Sequence, residues 1–182
     1  MKYLLDGQET ERLKFRLVQP DDFDTWISLF RDSDAGDFLG MADLNTPAEQ
    51  CQRWFDICDN RYKKDLGGMN VLIDKTLNKM VGQCGLLIQD VDEVKELEVG
   101  YSILPQYQGK GYATEAARKC RDYGFEHDYS DHIISIIHID NTMSANVALR
   151  NGMTKWKRTE YKKMPVDIFR ITREEWLKVK SQ

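Results

Sequence analysis

The chain is short of several things that would narrow its function at once. No stretch approaches the roughly 20 consecutive apolar residues needed to cross a bilayer, and Met1 to Gln19 is too charged to hold the apolar middle of a secretory signal. A cytoplasmic protein with no membrane partner is expected. The four cysteines, Cys51, Cys58, Cys84 and Cys120, form no close CxxC pair and no ligand spacing that suits structural zinc, so reduced, packed thiols are expected and no metal site. With only three histidines, none beside a cysteine, the sequence does not suggest a nucleophilic thiol. Neither sign of charge dominates: 26 basic and 30 acidic residues give a net charge of -4, which offers no general attraction to a nucleic-acid backbone. Repeats, low-complexity tracts and Pro/Gly/Ser-rich linkers are also missing, so residues 1–182 read as one domain with an ordinary 41% hydrophobic content.

What is present is an ordered series of short elements. Arg12 to Val18 alternates Leu13, Phe15 and Leu17 with charged residues, as a half-buried strand does, and a helix with Phe23, Trp26, Ile27 and Phe30 on one face follows. Thr46 caps a second helix with Pro47 at its first position, running to about Tyr62. Met69 to Asp74 and Lys79 to Gln89 read as a hairpin through Leu77-Asn78, with Glu96 to Leu104 as the next strand. From Gly111, small and apolar residues fall at helical spacing to about His127. His132 to Ile139, with five isoleucines and no polar face, reads as a strand covered on both sides near the centre of a sheet. A short helix from Asn141 to Arg150, strands at Met153 to Tyr161 and Val166 to Ile171, and a final helix from Thr172 complete the series. The order predicts an α/β (α+β) fold: a mixed, mainly antiparallel sheet of about six to seven strands flanked by helices.

The segment most informative for chemistry is Gln106 to Thr114, between a strand and the first turn of a helix. Amides at a helix start lack internal partners and carry the positive end of the dipole, while Gly109 and Gly111 let the backbone approach a phosphate closely. The spacing matches neither a Walker loop nor a GxGxxG dinucleotide fingerprint. On pattern alone, both a phosphate cradle and a plain structural turn fit.

The segment resembles the [Gln/Arg]-x-x-Gly-x-[Gly/Ala] pyrophosphate loop of the GNAT superfamily of N-acetyltransferases. Leu97 to Pro105 resembles that family's fourth strand, and Asn141-Thr142-Met143-Ser144 with Asn151-Gly152-Met153 resembles its following Asn-x-x-Ser…Leu-Gly-Phe element. Gly111-Tyr112-Ala113-Thr114-Glu115-Ala116 is similar to the RimJ/RimL-like branch. The resemblance implies an acetyl-CoA-dependent N-acetyltransferase with acetyl-CoA as co-substrate, working by direct attack of an amine in a ternary complex. It implies cofactor contacts at Ile103, Leu104, Gln108, Gly109, Lys110, Gly111, Tyr112, Ala113, Thr114 and Asn141, with pantetheine pairing against Ile103 and Leu104 and an N–H near Leu104 meeting the thioester oxygen. It implies Glu98 as general base, with a solvent carboxylate, or a salt bridge to Lys95 or a nearby arginine, as the alternative. Ser144 is implied as the acid for the thiolate, or is a first-turn serine. Asn141 serves pantetheine or a water, or caps the helix. Lys110 pairs with a phosphate or lies exposed. Ala148 stands where many members carry an acid tyrosine, which keeps a non-catalytic acyl-CoA sensor as the alternative function.

His138 reads as a packed histidine and Glu115 as a first-turn carboxylate. The partner is an amine, either a protein α-amine or a small molecule; an α-amine, with a pKa of about 8 against 10.4 for lysine, is more easily deprotonated. The two N-terminal helices, the loop Asp32 to Thr46 and the segment Lys162 to Phe169 are expected to shape its pocket, with Trp26, Phe38 or Tyr161 as walls. Monomer and homodimer both fit.

Overall fold

A computed structural model describes residues 1–181. One seven-stranded sheet runs in the order β1-β2-β3-β4-β5-β7-β6, with β1 Leu13–Leu17, β2 Gly67–Asp74, β3 Lys79–Val91, β4 Val94–Ile103, β5 His132–His138, β6 Thr154–Tyr161 and β7 Met164–Thr172. Every neighbouring pair is antiparallel except β4 and β5. The expected mixed, mainly antiparallel α/β sheet is therefore the observed one, with β4 in the middle and β5 beside it.

Helices cover both faces. On one, α1 (Phe23–Arg31) packs on α3 (Pro47–Lys63), and Trp26, Leu29, Phe30, Cys51 and Trp54 meet Met69, Val71 and Leu87 of the sheet. On the other, α4 (Tyr112–Glu126) lies against β3, β4 and β5 and buries Ala116, Ala117, Cys120 and Phe125. The small residues on that face allow close helix-to-sheet approach. α5 (Thr142–Arg150) leans on α4, and α6 (Arg173–Lys180) seats Trp176 on Phe125 with ring centroids 5.0 Å apart. Capping boxes start α3 at Thr46/Glu49 and α6 at Thr172/Glu175. All four cysteines are buried as free thiols. Burial lifts Cys51 and Cys58 to about 12, which makes them poor nucleophiles.

Two features depart from the sequence reading. β3 and β4 extend to Val91 and Val94, and β7 begins at Met164, because Asp92-Glu93 and Lys162-Lys163 make two-residue turns with positive φ at both positions. Such turns favour Asn-Gly, so these pairs carry no turn signature. The loop from Asp32 to Thr46 also contains a short helix, α2 (Ala35–Phe38).

Candidate active site

The site is organised around the two edges of β4. Toward β3 it is paired from Val94 to Ile103 without a shift in register. Toward β5 the parallel pairing consists of Glu98 opposite Ile134. Beyond that point side chains replace the ladder: Ser135 Oγ donates to Val99 O at 2.8 Å, and Ile136 N donates to Glu98 Oε1 at 3.4 Å. The strands then part, and Val99 to Ile103 and Ser135 to His138 become opposite walls of a cleft of about 770 Å³.

The pairing parity of β4 decides which main-chain groups face this cleft. Leu104 N donates to Val81 O at 2.9 Å, so in an alternating antiparallel ladder Ser102 and Gly100 also turn their polar groups to β3. Val99, Tyr101 and Ile103 turn theirs away from it. The bonds to Val99 O and, from Gln108 Nε2 at 3.1 Å, to Ile103 O agree. Ile103 therefore lies where an extended ligand can pair with it. Leu104 does not: its N–H is committed to β3, its side chain is fully buried, and it is not part of the cleft wall. The expectation of a free donor at Leu104 is corrected on this ground, and Tyr101 takes its place as an available backbone.

At the next bend, Pro105–Tyr107 forms one 3₁₀ turn and the chain enters α4 through Gly109 (φ 74°) and Gly111 (φ 83°). The N-cap Gly111 provides no side-chain cap, and the amides of Gly109, Lys110, Gly111, Tyr112, Ala113 and Thr114 find no partner among the described residues. Six donors at one helix start, beside a Gly109 whose added Cβ would meet nothing within 4 Å, form a cradle suited to a pyrophosphate. The residues present thus fit the phosphate portion of CoA. Gln108 differs from expectation: its N–H reaches Pro105 O at 3.3 Å, so it contributes through the side-chain bond to Ile103. Lys110 is exposed, with Nζ 5.4 Å from the Tyr107 ring and outside the cleft wall.

The loop is held from behind. Arg12 Nε donates to Glu115 Oε2 at 2.6 Å and its Nη1 to Lys110 O at 2.9 Å, while Thr10 Oγ1 and Arg12 N donate to Glu115 Oε1. These bonds draw Glu115 below its ordinary value against the opposing effect of burial. Its role is to tie α4 to the N-terminal segment. Tyr112 Oη donates to Asp74 Oδ2 at 2.7 Å and fastens the same turn to the β2–β3 loop.

Glu98 lies where β4 and β5 part, with 9% of its surface exposed. Burial raises its carboxyl above the ordinary range; the opposing influences are a hydrogen bond from Gln89, the Ile136 N–H and the charges of Lys162 and Arg61. Gln89 Nε2 donates to Glu98 Oε2 at 2.7 Å, while Gln89 Oε1 accepts from Tyr161 Oη at 2.9 Å and Arg61 Nη1 at 3.4 Å. Arg61 is in turn fixed by the carbonyls of Leu66 and Ile88, each at 2.7 Å. The salt bridge to Lys95 does not form; Lys95 pairs with Asp90 at 3.5 Å.

On the opposite wall, Asn141 Oδ1 accepts from Ser144 N at 3.1 Å and so caps α5. Ser144 O accepts from Tyr101 Oη at 2.7 Å, and the Ser144 hydroxyl, which lines the cleft, has no hydrogen-bond partner among the described residues. Ala148 is buried, with 1% exposed. His138 lies at the end of β5 and lines the cleft, with its ring 5.3 Å from Phe38 and Nδ1 accepting from Asp140 N at 3.2 Å. Of the suggested acceptor walls, Phe38 and Tyr161 line the cleft, whereas Trp26 is wholly buried in the α1–α3 core. Gln89, Arg61, Tyr101 and Ser135 were not singled out from the sequence. Their roles arise only when β3, β4 and β5 lie side by side. Among the described residues no group of histidines, cysteines or carboxylates could hold a metal ion, and no helix is long and apolar enough to cross a membrane.

A parted β4–β5 pair followed by a glycine-bounded helix start is an arrangement with room for an acyl-CoA, as the resemblance implies, and comparison with known proteins agrees. Residues 12–154 match the family model described as acetyltransferase (GNAT) domain. The chain belongs to the GNAT family and is an acetyl-CoA-dependent acyltransferase. It is 29% identical over 163 residues to the uncharacterized protein YkkB of Bacillus subtilis, covering 88% of this chain and 92% of that protein. The spermidine N-acetyltransferase of Vibrio cholerae, solved with CoA and spermine, superposes with a TM-score of 0.70 at 15% identity over 92% of this chain and 99% of that one. The ribosomal-protein-S5-alanine acetyltransferase of Vibrio fischeri does so with a TM-score of 0.66 at 21% identity over 94% and 98%.

Proposed function

We propose that this protein transfers the acetyl group of acetyl-CoA directly to a primary amine, with Glu98 as the base. The observation that carries this reading is the Glu98 carboxylate: buried, raised by burial, held by Gln89 Nε2 and Ile136 N, and lining the same cleft as Gly109, Gly111, Tyr112, Ala113 and Thr114, whose amides are free.

Acyl transfer to an amine needs the reactants held together, a proton removed from nitrogen and two developing charges stabilised. Main-chain groups of Tyr101 and Ile103 would pair with the pantetheine arm, and the helix start would hold the pyrophosphate through Gly109 to Thr114. Glu98, or a water bound to it, would take the amine proton. Its raised value brings it nearer to neutral pH, where a general base is most effective. The Ser144 hydroxyl, free of internal partners, would return a proton to the departing thiolate. Asn141 would order that wall as the cap of α5. Structural neighbours are named for a ribosomal-protein alanine and for spermidine, both amines, which supports an amine acceptor here.

The test is release of CoA thiol, followed with purified protein, acetyl-CoA and a panel of amines, with acetylated product identified by mass spectrometry. Turnover by the wild type is expected. Tight acetyl-CoA binding with no turnover of any amine would instead favour an acyl-CoA sensor.

A further inference from the structure

The acceptor end of the cleft has a composition of its own. Its walls include Leu29, Leu39, Met41, Trp54, Ile57 and Leu87, from α1, the α2 segment, α3 and β3. The charged side chains in the cleft lining are Asp34, Arg61, Glu98, Arg150 and Lys162, two acids against three bases. Arg61 is committed to two carbonyls. A substrate with several ammonium groups would find one carboxylate at depth, Glu98, and a fixed cation beside it. Burying the remaining charges without partners is costly.

The entrance is also covered. Phe38 of α2 packs on His138 at the end of β5, and Gly40, with φ 71°, passes so near β7 that an added Cβ would lie 3.3 Å from Met164 Cε. The segment joining α1 to α3 thus touches the end of β5 and the β6–β7 turn, and its residues Asp34, Ala35, Phe38, Leu39 and Met41 line the same cleft as Glu98. A cleft walled by this segment suits a small substrate better than a bulky one.

We infer that the acceptor is a small primary monoamine on an apolar body, an alkylamine or arylalkylamine, held by the apolar walls with its nitrogen at Glu98. This inference rests on the acetyltransferase reading above. One positive charge matches one buried carboxylate, and the hydrocarbon gains roughly 25 cal/mol for each Å² removed from water.

The test compares kcat/KM for 2-phenylethylamine, spermidine and a tripeptide beginning with alanine, using purified wild type and the variant Ile57→Glu. Ile57 is 38% exposed, so the variant should fold. The wild type is expected to prefer 2-phenylethylamine over the other two by roughly tenfold or more. Ile57→Glu should lower that preference over spermidine at least severalfold while acetyl-CoA affinity, measured by calorimetry, is unchanged. Equal or better use of spermidine or the tripeptide overturns the inference, as does an unchanged preference in Ile57→Glu. Turnover of none of the three, with acetyl-CoA still bound, overturns the substrate class but leaves the cofactor site. Absence of acetyl-CoA binding overturns the acetyltransferase reading and this inference with it.

Discussion

The two edges of β4 are paired very unequally. The edge toward β3 is paired from Val94 to Ile103, and the edge toward β5 at Glu98 opposite Ile134. One strand thereby does two kinds of work. Its closed edge uses every polar group for cohesion, and its open edge leaves main-chain groups, a carboxylate and a cleft available for chemistry. Damage to the two edges should therefore separate into losses of stability and losses of activity.

The largest effect is expected on the open edge. Glu98→Gln removes the base while keeping the side-chain shape, and should lower turnover by about 100- to 10,000-fold with acetyl-CoA affinity and thermal midpoint retained. A neutral-pH rate equal to wild type would return Glu98 to a structural role. On the closed edge, Gly82→Val should act first on stability. An added Cβ there would lie 2.6 Å from Ser102 O and 3.1 Å from Ile103 Cα of β4, so the ladder has to shift. A loss of about 3 kcal/mol is expected, read by urea unfolding. If Gly82→Val is as stable as wild type, the closed edge is not the cohesive element it is taken to be.

Much of this arrangement was legible in the sequence where the signal is local. The cap at Thr46, the helix start at Gly111 and the carboxylate at Glu98 are each carried by a few adjacent residues. What stayed hidden depends on partners far along the chain. Gln89 approaches Glu98 because Leu87 pairs with Glu98, which makes the two side chains diagonal neighbours on one face. Arg61 reaches the same network from α3, and Tyr161 from β6. Leu104 shows the converse: it adjoins a motif residue, but pairing parity fixed by β3 turns its N–H away from the cleft. The turns at Asp92-Glu93 and Lys162-Lys163 were invisible because neither has the glycine or asparagine that usually permits positive φ.

The hidden network gives a finer contrast. Gln89→Leu removes the hydrogen bond that opposes the effect of burial on Glu98. The carboxyl then holds its proton to higher pH, and because the base acts deprotonated, the acid limb of the kcat/KM profile should move upward. Activity at neutral pH should fall by roughly tenfold and recover as pH rises. A uniform loss at all pH values would mean that Gln89 serves packing alone. The smallest effect is expected where the edges part. Ser135→Ala leaves Val99 O without the hydroxyl that now reaches it at 2.8 Å, costing about 1 kcal/mol in thermal or urea unfolding. No change would indicate that water replaces the hydroxyl there.

The central claim is that the open edge and the helix start beside it form an acetyl-CoA site, and calorimetric titration of acetyl-CoA into wild type and Gly111→Val tests it most directly. A β-branched side chain is strained at the Gly111 φ of 83°, so the cradle cannot keep its shape. The wild type should show one saturable site, and the variant, still folded by circular dichroism, should bind roughly tenfold or more weakly. Equal affinity in both proteins, or no binding by the wild type, would contradict the account.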